Sequence, residues 1–316
     1  MLLSRHLAEA TSLTPGQHKD VVAPDGAISF GPFKHNFVVA PLARLGFRLM
    51  TRRLEKVVFT ATTGRSGTKT LANLLSTVQD CIALHEPYPI MCGPVLRAAT
   101  YGNTAAADKV YWRIKSINIL RAAVGHRYYV EANHCFIKSF IQQAIDDFGE
   151  RLAVIHLVRP AIEVAMSIFR LQEYPGTDIG NAWWLDYRAP TNLIQIADLI
   201  DCDAEFSHPF YKALWYWHEV EMRISAWRKK MPGLKVVRFE TNWFNHKEKI
   251  IEFLDQLGID YEKSRIEAMV GLKENIREDQ KRIAALPNDH ARHMLSLFQE
   301  LLAHRGIDIS VISSMS

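Results

Sequence analysis

The run Lys56-Val57-Val58-Phe59-Thr60-Ala61-Thr62-Thr63-Gly64-Arg65-Ser66-Gly67-Thr68-Lys69-Thr70 decides the fold class. Lys56–Ala61 is short, apolar and β-branched, which reads as a buried strand. Leu71, Leu74 and Leu75 then recur at helical spacing within Thr68–Thr77. Between them lies a turn of Gly, Ser and Thr. A strand-to-helix join of this composition is suited to anions. Glycines let the backbone approach a ligand, and the first amides of the helix carry the positive end of its dipole. Arg65 and Lys69 add charge; Ser66, Thr68 and Thr70 add hydroxyl donors. The whole segment Gly64, Arg65, Ser66, Gly67, Thr68, Lys69 and Thr70 is the candidate binding loop.

Outward from the loop, short apolar runs at Cys81–Leu84, Tyr128–Glu131, Leu152–Val158 and Leu234–Phe239 read as further strands. Phe136–Phe148, Ile162–Leu171 and Lys247–Leu257 read as helices. The alternation predicts an α/β fold: a P-loop-type, mainly parallel β-sheet flanked by helices on both faces. Ligands in such sheets sit beyond the carboxyl ends of the strands. Gly64–Thr70, His85-Glu86, His134 and Arg159 all fall just after predicted strands. Residues 1–55 read as an N-terminal extension and 56–316 as a single α/β domain. The aromatic stretch 172–212, with Tyr174, Trp183, Trp184 and Tyr187, has the irregular pattern of a lid or substrate-side insertion.

Composition bounds the function. A hydrophobic fraction of 48% and a charged fraction of 23% fit a soluble protein with a real core. A formal net charge of +4 lacks the dominant basic stripe of a nucleic-acid binder. Cys81, Cys92, Cys135 and Cys202 form no C-x-x-C pair, so reduced thiols in a cytoplasmic setting are expected rather than a disulfide framework or a zinc site. The apolar segment Phe37–Met50 is too short to span a bilayer. It and the nearby Arg48, Arg52, Arg53 and Lys56 read either as an amphipathic helix packed on the domain or as a peripheral membrane contact.

The nucleotide-hydrolase loop G-x-x-x-x-G-K-[ST] does not fit. Gly67 is followed by Thr68, not lysine, and the preceding glycine is only three residues back. The strand Leu152–Val158 ends in Arg159, where a magnesium-binding site would want aspartate. Gly64-Arg65-Ser66-Gly67-Thr68 instead resembles the 5′-phosphosulfate loop of sulfotransferases that use 3′-phosphoadenosine-5′-phosphosulfate (PAPS). Lys69, between Thr68 and Thr70, departs from that pattern. Arg159, with Ser167 eight residues later, resembles the element that holds the 3′-phosphate in that family. Pro160 stands where the family often has Asp or Asn. Val236–Glu240 and the helix after it look like the family's late strand and helix. Lys273–Arg277 is a candidate segment for closing over the nucleotide. The resemblance covers about residues 56–260.

The resemblance implies PAPS as co-substrate, no metal, and sulfuryl transfer to an acceptor hydroxyl. Arg65 would meet charge on the leaving phosphate. Two residues qualify as the base. Glu86, 21 residues after Arg65 in Leu84-His85-Glu86-Pro87, matches the carbohydrate and tyrosylprotein enzymes. His134 sits where the cytosolic small-molecule branch carries a histidine. The Glu86-Pro87 pair favours a saccharide or glycolipid acceptor, with Tyr88, Trp183, Trp184 and Tyr187 available to stack on sugar rings. A P-loop kinase using ATP and Mg²⁺ and a non-catalytic nucleotide-binding relative are the rival readings.

Overall fold

The computed structural model describes residues 39–268, 270 and 286–313. Five strands form one sheet: β1 (Lys56–Ala61), β2 (Cys81–His85), β3 (Tyr128–Ala132), β4 (Leu152–Val158) and β5 (Lys235–Glu240). Their order is β2-β3-β1-β4-β5, and every pairing is parallel. The fold is thus α/β with a parallel sheet, as the alternating pattern predicts.

Strand periodicity splits the core in two. Val57, Phe59 and Ala61 of β1 face one apolar cluster, and Val58 faces the other. The α-helices are α1 (Val39–Met50), α2 (Thr68–Ser76), α3 (Pro94–Thr100), α4 (Thr104–Val110), α5 (Ser116–Ala122), α6 (Ile141–Phe148), α7 (Ala161–Leu171), α8 (Asp178–Trp183), α9 (Ala197–Cys202), α10 (Pro209–Lys230), α11 (Lys247–Leu257), α12 (Lys263–Glu267), α13 (Asn288–His304) and the short α14 (Ser310–Ser313). Leu71, Leu74 and Leu75 of α2, with Phe253, Leu254 and Leu257 of α11, cover the Val58 face. Residues of α7, α10 and α13 contribute to the cluster on the opposite face.

The strand order has a functional consequence. The chain leaves β1 toward β2 on one side and leaves β4 toward β5 on the other, although β1 and β4 are neighbours. Their two following loops therefore diverge and leave a crevice at their carboxyl ends, where ligands bind in open sheets of this kind.

Three expectations need adjusting. The stretch 172–212 is partly regular, containing α8, α9 and the start of α10. Its Trp184 and Tyr187 are core residues, 5% and 0% exposed, because they pack against α10; they are not free to stack on sugar rings. Tyr88 and Trp183 are only half-buried. The helix predicted over Phe136–Phe148 is present but opens with a wide π turn at Phe136–Phe140 before α6. Lys273–Arg277 lies outside the described residues.

The amphipathic helix α1 buries Ala40 and packs Phe47 on the core, but it also turns two arginines toward the domain. Arg44 and Arg48 point inward, and both bind the Asp147 carboxylate, which is fully buried. Asp147 also accepts from Tyr111 Oη (3.3 Å) and Ser116 Oγ (2.5 Å). Removing one side of a buried ion pair strands the other side's charge. Arg44 and Arg48 are partly exposed and can rehydrate, so the cost falls below that of a fully buried pair. Asp147→Ala is expected to lower stability by about 2 kcal/mol, read from the urea midpoint. A change under about 0.5 kcal/mol would show that α1 is held by something else.

Candidate active site

The loop after β1 turns through left-handed backbone at Gly64 (φ 80°), Arg65 (φ 55°) and Gly67 (φ 77°). Glycine is needed at position 64 for a second reason. A Cβ there would lie 3.0 Å from Trp184 Cζ3 and 3.2 Å from His134 Cγ. The buried hydroxyls of the loop fold it on itself: Thr63 Oγ1 and Ser66 Oγ both donate to the Gly64 carbonyl at 2.9 Å. Gly67 caps α2 without any side-chain bond, so the first-turn amides of α2 have no side-chain acceptor from the cap. Thr68 Oγ1 lies 3.0 Å from His85 Nε2. Lys69 is exposed on the first turn of α2, and Thr70 is half-buried.

Arg159 and Ser167 join this loop across the crevice between β1 and β4. Arg159 Nη1 donates to the Arg65 carbonyl (2.7 Å), and Arg65 Nε donates to Ser167 Oγ (3.0 Å). Arg159 Nε also pairs with Glu163 one turn along α7, at 2.9 Å. The loop, Arg159 and Ser167 thus form one basic, hydroxyl-rich cluster, built by residues about ninety positions apart in sequence.

Glu86 and His134 meet because of strand register. His85 pairs with Ala132, so the next residues along each strand, Glu86 and Asn133-His134, leave the sheet side by side. Glu86 adopts left-handed backbone (φ 47°), and its amide still donates to the Ala132 carbonyl at 3.2 Å. Its Oε1 lies 3.5 Å from His134 Nε2 and 3.9 Å from His85 Nε2. Both histidines lie against the loop, and the carboxylate between them is within electrostatic reach of Arg65.

Burial raises Glu86 to about 7, with Glu131 adding to the rise; Lys138, Lys115 and Arg65 pull the other way. Burial also lowers His134 well below its ordinary value, and the Lys138 cation reinforces this. His85 falls to about 4 through burial and then Lys69. Both histidines are therefore neutral at pH 7.

Lys138 organises this corner, and sequence reading missed it. Its ammonium donates to His134 Nδ1 (2.7 Å), the Trp183 carbonyl (2.9 Å) and Tyr216 Oη (2.9 Å). That exhausts the three protons of a lysine. Tyr216 Oη in turn donates to the Thr63 carbonyl at 2.5 Å. Because Nδ1 of His134 accepts, Nε2 carries the ring proton, 3.5 Å from Glu86 Oε1. Burial lowers Lys138 to about 8, which leaves it mostly charged at pH 7.

A second buried pair was also missed. Lys115 and Glu131 pair within electrostatic reach of Glu86, and Lys115 Nζ donates to the Pro87 carbonyl at 3.1 Å. Tyr129 Oη and Asn133 Nδ2 each donate to Glu131 at 2.7 Å. Lys115 and Lys138 both lie in π turns, the first at Tyr111–Lys115. The available signal was a charged residue inside an apolar run, Tyr-Tyr-Val-Glu for Glu131 and Phe-Ile-Lys-Ser-Phe for Lys138.

No family model matches the chain. No curated protein matches it either. Among solved structures, the chain is similar to the sulfotransferase domain from the curacin biosynthetic pathway, at 11% identity and a TM-score of 0.46, covering 81% of this chain and 99% of that one.

The close approach at Gly64 is testable against a glycine that shares its backbone but not its neighbours. Gly125 has φ 84° and nothing within 4 Å of a built Cβ. Gly125→Ala should cost about 1 kcal/mol from backbone strain alone. Gly64→Ala should cost clearly more in thermal unfolding and shift the fluorescence of Trp184. Equal costs at the two positions would mean that Trp184 and His134 yield freely.

Proposed function

We propose that the protein is a sulfotransferase that moves a sulfuryl group from PAPS to an acceptor hydroxyl. One observation carries the reading. The Gly64–Thr70 loop, Arg159 and Ser167 converge at the β1–β4 crevice, with a carboxylate of raised pKa within electrostatic reach of Arg65. Two basic elements, far apart in the chain but meeting at one crevice, suit a ligand with two phosphates. The loop amides, Arg65 and Thr68 would hold the 5′-phosphosulfate; Arg159 and Ser167 would hold the 3′-phosphate. Arginine's planar fork fits phosphate, and Ser167, which accepts from Arg65, can still donate its own hydroxyl proton to a ligand oxygen.

Glu86 is the base in this reading, not His134. His134 has no lone pair free: Nδ1 accepts from Lys138, and Nε2 bears a proton. Glu86 takes the proton of the acceptor hydroxyl as the new O–S bond forms and the bond from sulfur to the phosphate oxygen breaks. Arg65 meets the charge that develops on that oxygen. His134 orients the Glu86 carboxylate and supports its ionised form. The Glu86-Pro87 pair supports a saccharide or glycolipid hydroxyl as the acceptor.

Glu86 must be ionised to act, so activity should rise with pH through about 7. Stability should move oppositely. A carboxyl whose folded pKa is raised favours the fold when protonated, and that contribution is lost as pH rises from about 4 toward the folded value. Glu86→Gln should therefore lose about 10²- to 10⁴-fold in turnover, measured with PAPS labelled in the sulfuryl group and EDTA present. At pH 8 the same variant should unfold at a higher temperature than the wild type. Full turnover in Glu86→Gln would remove Glu86 as the base. Turnover with ATP and Mg²⁺ that EDTA abolishes would replace the sulfotransferase reading with the kinase one.

A further inference from the structure

Helix α1 packs Ala40 and Phe47 on the domain but leaves a second apolar stripe facing outward. Leu42, Leu45, Leu49 and Met50 are 66%, 57%, 56% and 60% exposed. Their spacing puts them on one face, while Arg44 and Arg48 are turned inward to Asp147. Arg44 also donates to Ser116 Oγ (2.9 Å) and lies over the Trp112 ring at 4.6 Å. The inward turn of the arginines is therefore fixed by their own partners.

A cavity of about 390 Å³ opens beside the carboxyl end of the same helix. Arg48, Arg52 and Arg151 line it above the apolar Leu54, Leu120 and Phe148. Arg48 is committed to Asp147. Arg52 and Arg151 are exposed, and among the described residues neither makes an ion pair. The cavity is at the far end of the sheet from the candidate active site: Leu54 leads into β1 and Arg151 into β4, whereas the crevice lies at the carboxyl ends of those strands.

We propose that this face is a docking site for an anionic membrane surface. The leucine stripe would enter the acyl boundary, and a lipid phosphate would sit between Arg52 and Arg151. Two features select this occupant. A lone apolar stripe would fit any apolar partner, but here it adjoins guanidinium groups that have no counter-ion among the described residues, and guanidinium forks match phosphate oxygens. An interfacial helix also needs apolar residues on one side with basic residues at headgroup depth, which this arrangement supplies. A second copy of the chain would supply leucines but would set arginine against arginine. The inference is independent of the sulfotransferase reading, because the surface lies at the opposite end of the sheet.

The test is co-sedimentation of the full-length protein with phosphatidylcholine vesicles, with and without phosphatidylserine. Binding to the anionic vesicles should exceed binding to the neutral ones by about tenfold or more, and salt should weaken it. Leu45→Glu with Leu49→Glu should abolish binding. Arg52→Glu with Arg151→Glu should remove the preference for phosphatidylserine. All four side chains are outside the core, so both double variants should keep the wild-type unfolding temperature, which separates lost docking from lost fold. Equal sedimentation with both vesicle types would overturn the proposal, as would wild-type binding by either double variant. It would also fall if the protein dimerised with rising concentration, failed to bind vesicles, and became monomeric in Leu45→Glu; the stripe would then be a self-interface.

Discussion

The ammonium of Lys138 is the interaction on which the candidate site depends. A buried cation without partners would be forced to neutralise. Here it has three acceptors from three parts of the chain: His134 after β3, the Trp183 carbonyl at the end of α8, and Tyr216 on α10. Tyr216 passes the connection to Thr63 in the loop. One charge thus ties the Gly64–Thr70 loop to the strand ends that carry Glu86 and His134. It also fixes the proton of His134 on Nε2, which decides what His134 can do for Glu86.

The sheet supplies the rest of the geometry. Parallel strands put every strand-to-helix loop at the same end, and the order β2-β3-β1-β4-β5 opens a crevice between β1 and β4. Arg65 and Arg159 meet there because their strands are neighbours, although their segments are far apart in the chain. Register in the other half of the sheet, β2 against β3, brings Glu86 to His134. The two halves meet at Gly64, where the loop backbone touches both His134 and Trp184. The opposite end of the sheet has a different character: an arginine-lined cavity beside an outward-facing leucine stripe.

Much of this was legible in the sequence. β1 and β4 have the bounds that their apolar runs predict, and the glycine-rich loop sits between strand and helix as read. Arg65, Arg159 and Ser167 were named as candidates and do come together. The buried charges were not legible. A lysine in Phe-Ile-Lys-Ser-Phe shows no partner locally, because its acceptors come from elements before and after it in the chain. The helices between Pro94 and Ala122 were also missed. α1 was read as amphipathic, but its inward side could not be read: ordinary packing would bury the leucines, and the buried carboxylate of Asp147 draws the arginines in instead. Aromatics at 184 and 187 read as ligand-facing, yet α10 covers both. In each case a distant partner overrode a local pattern.

The central claim is that the β1–β4 crevice is a site for two phosphates held by separate basic elements. Calorimetric titration with adenosine 3′,5′-bisphosphate, beside ATP with Mg²⁺, tests it most directly. The account predicts micromolar binding of the bisphosphate that Arg159→Ala weakens strongly while the unfolding temperature stays unchanged. Binding of ATP with Mg²⁺ but not of the bisphosphate, or bisphosphate binding unaffected by Arg159→Ala, would contradict it.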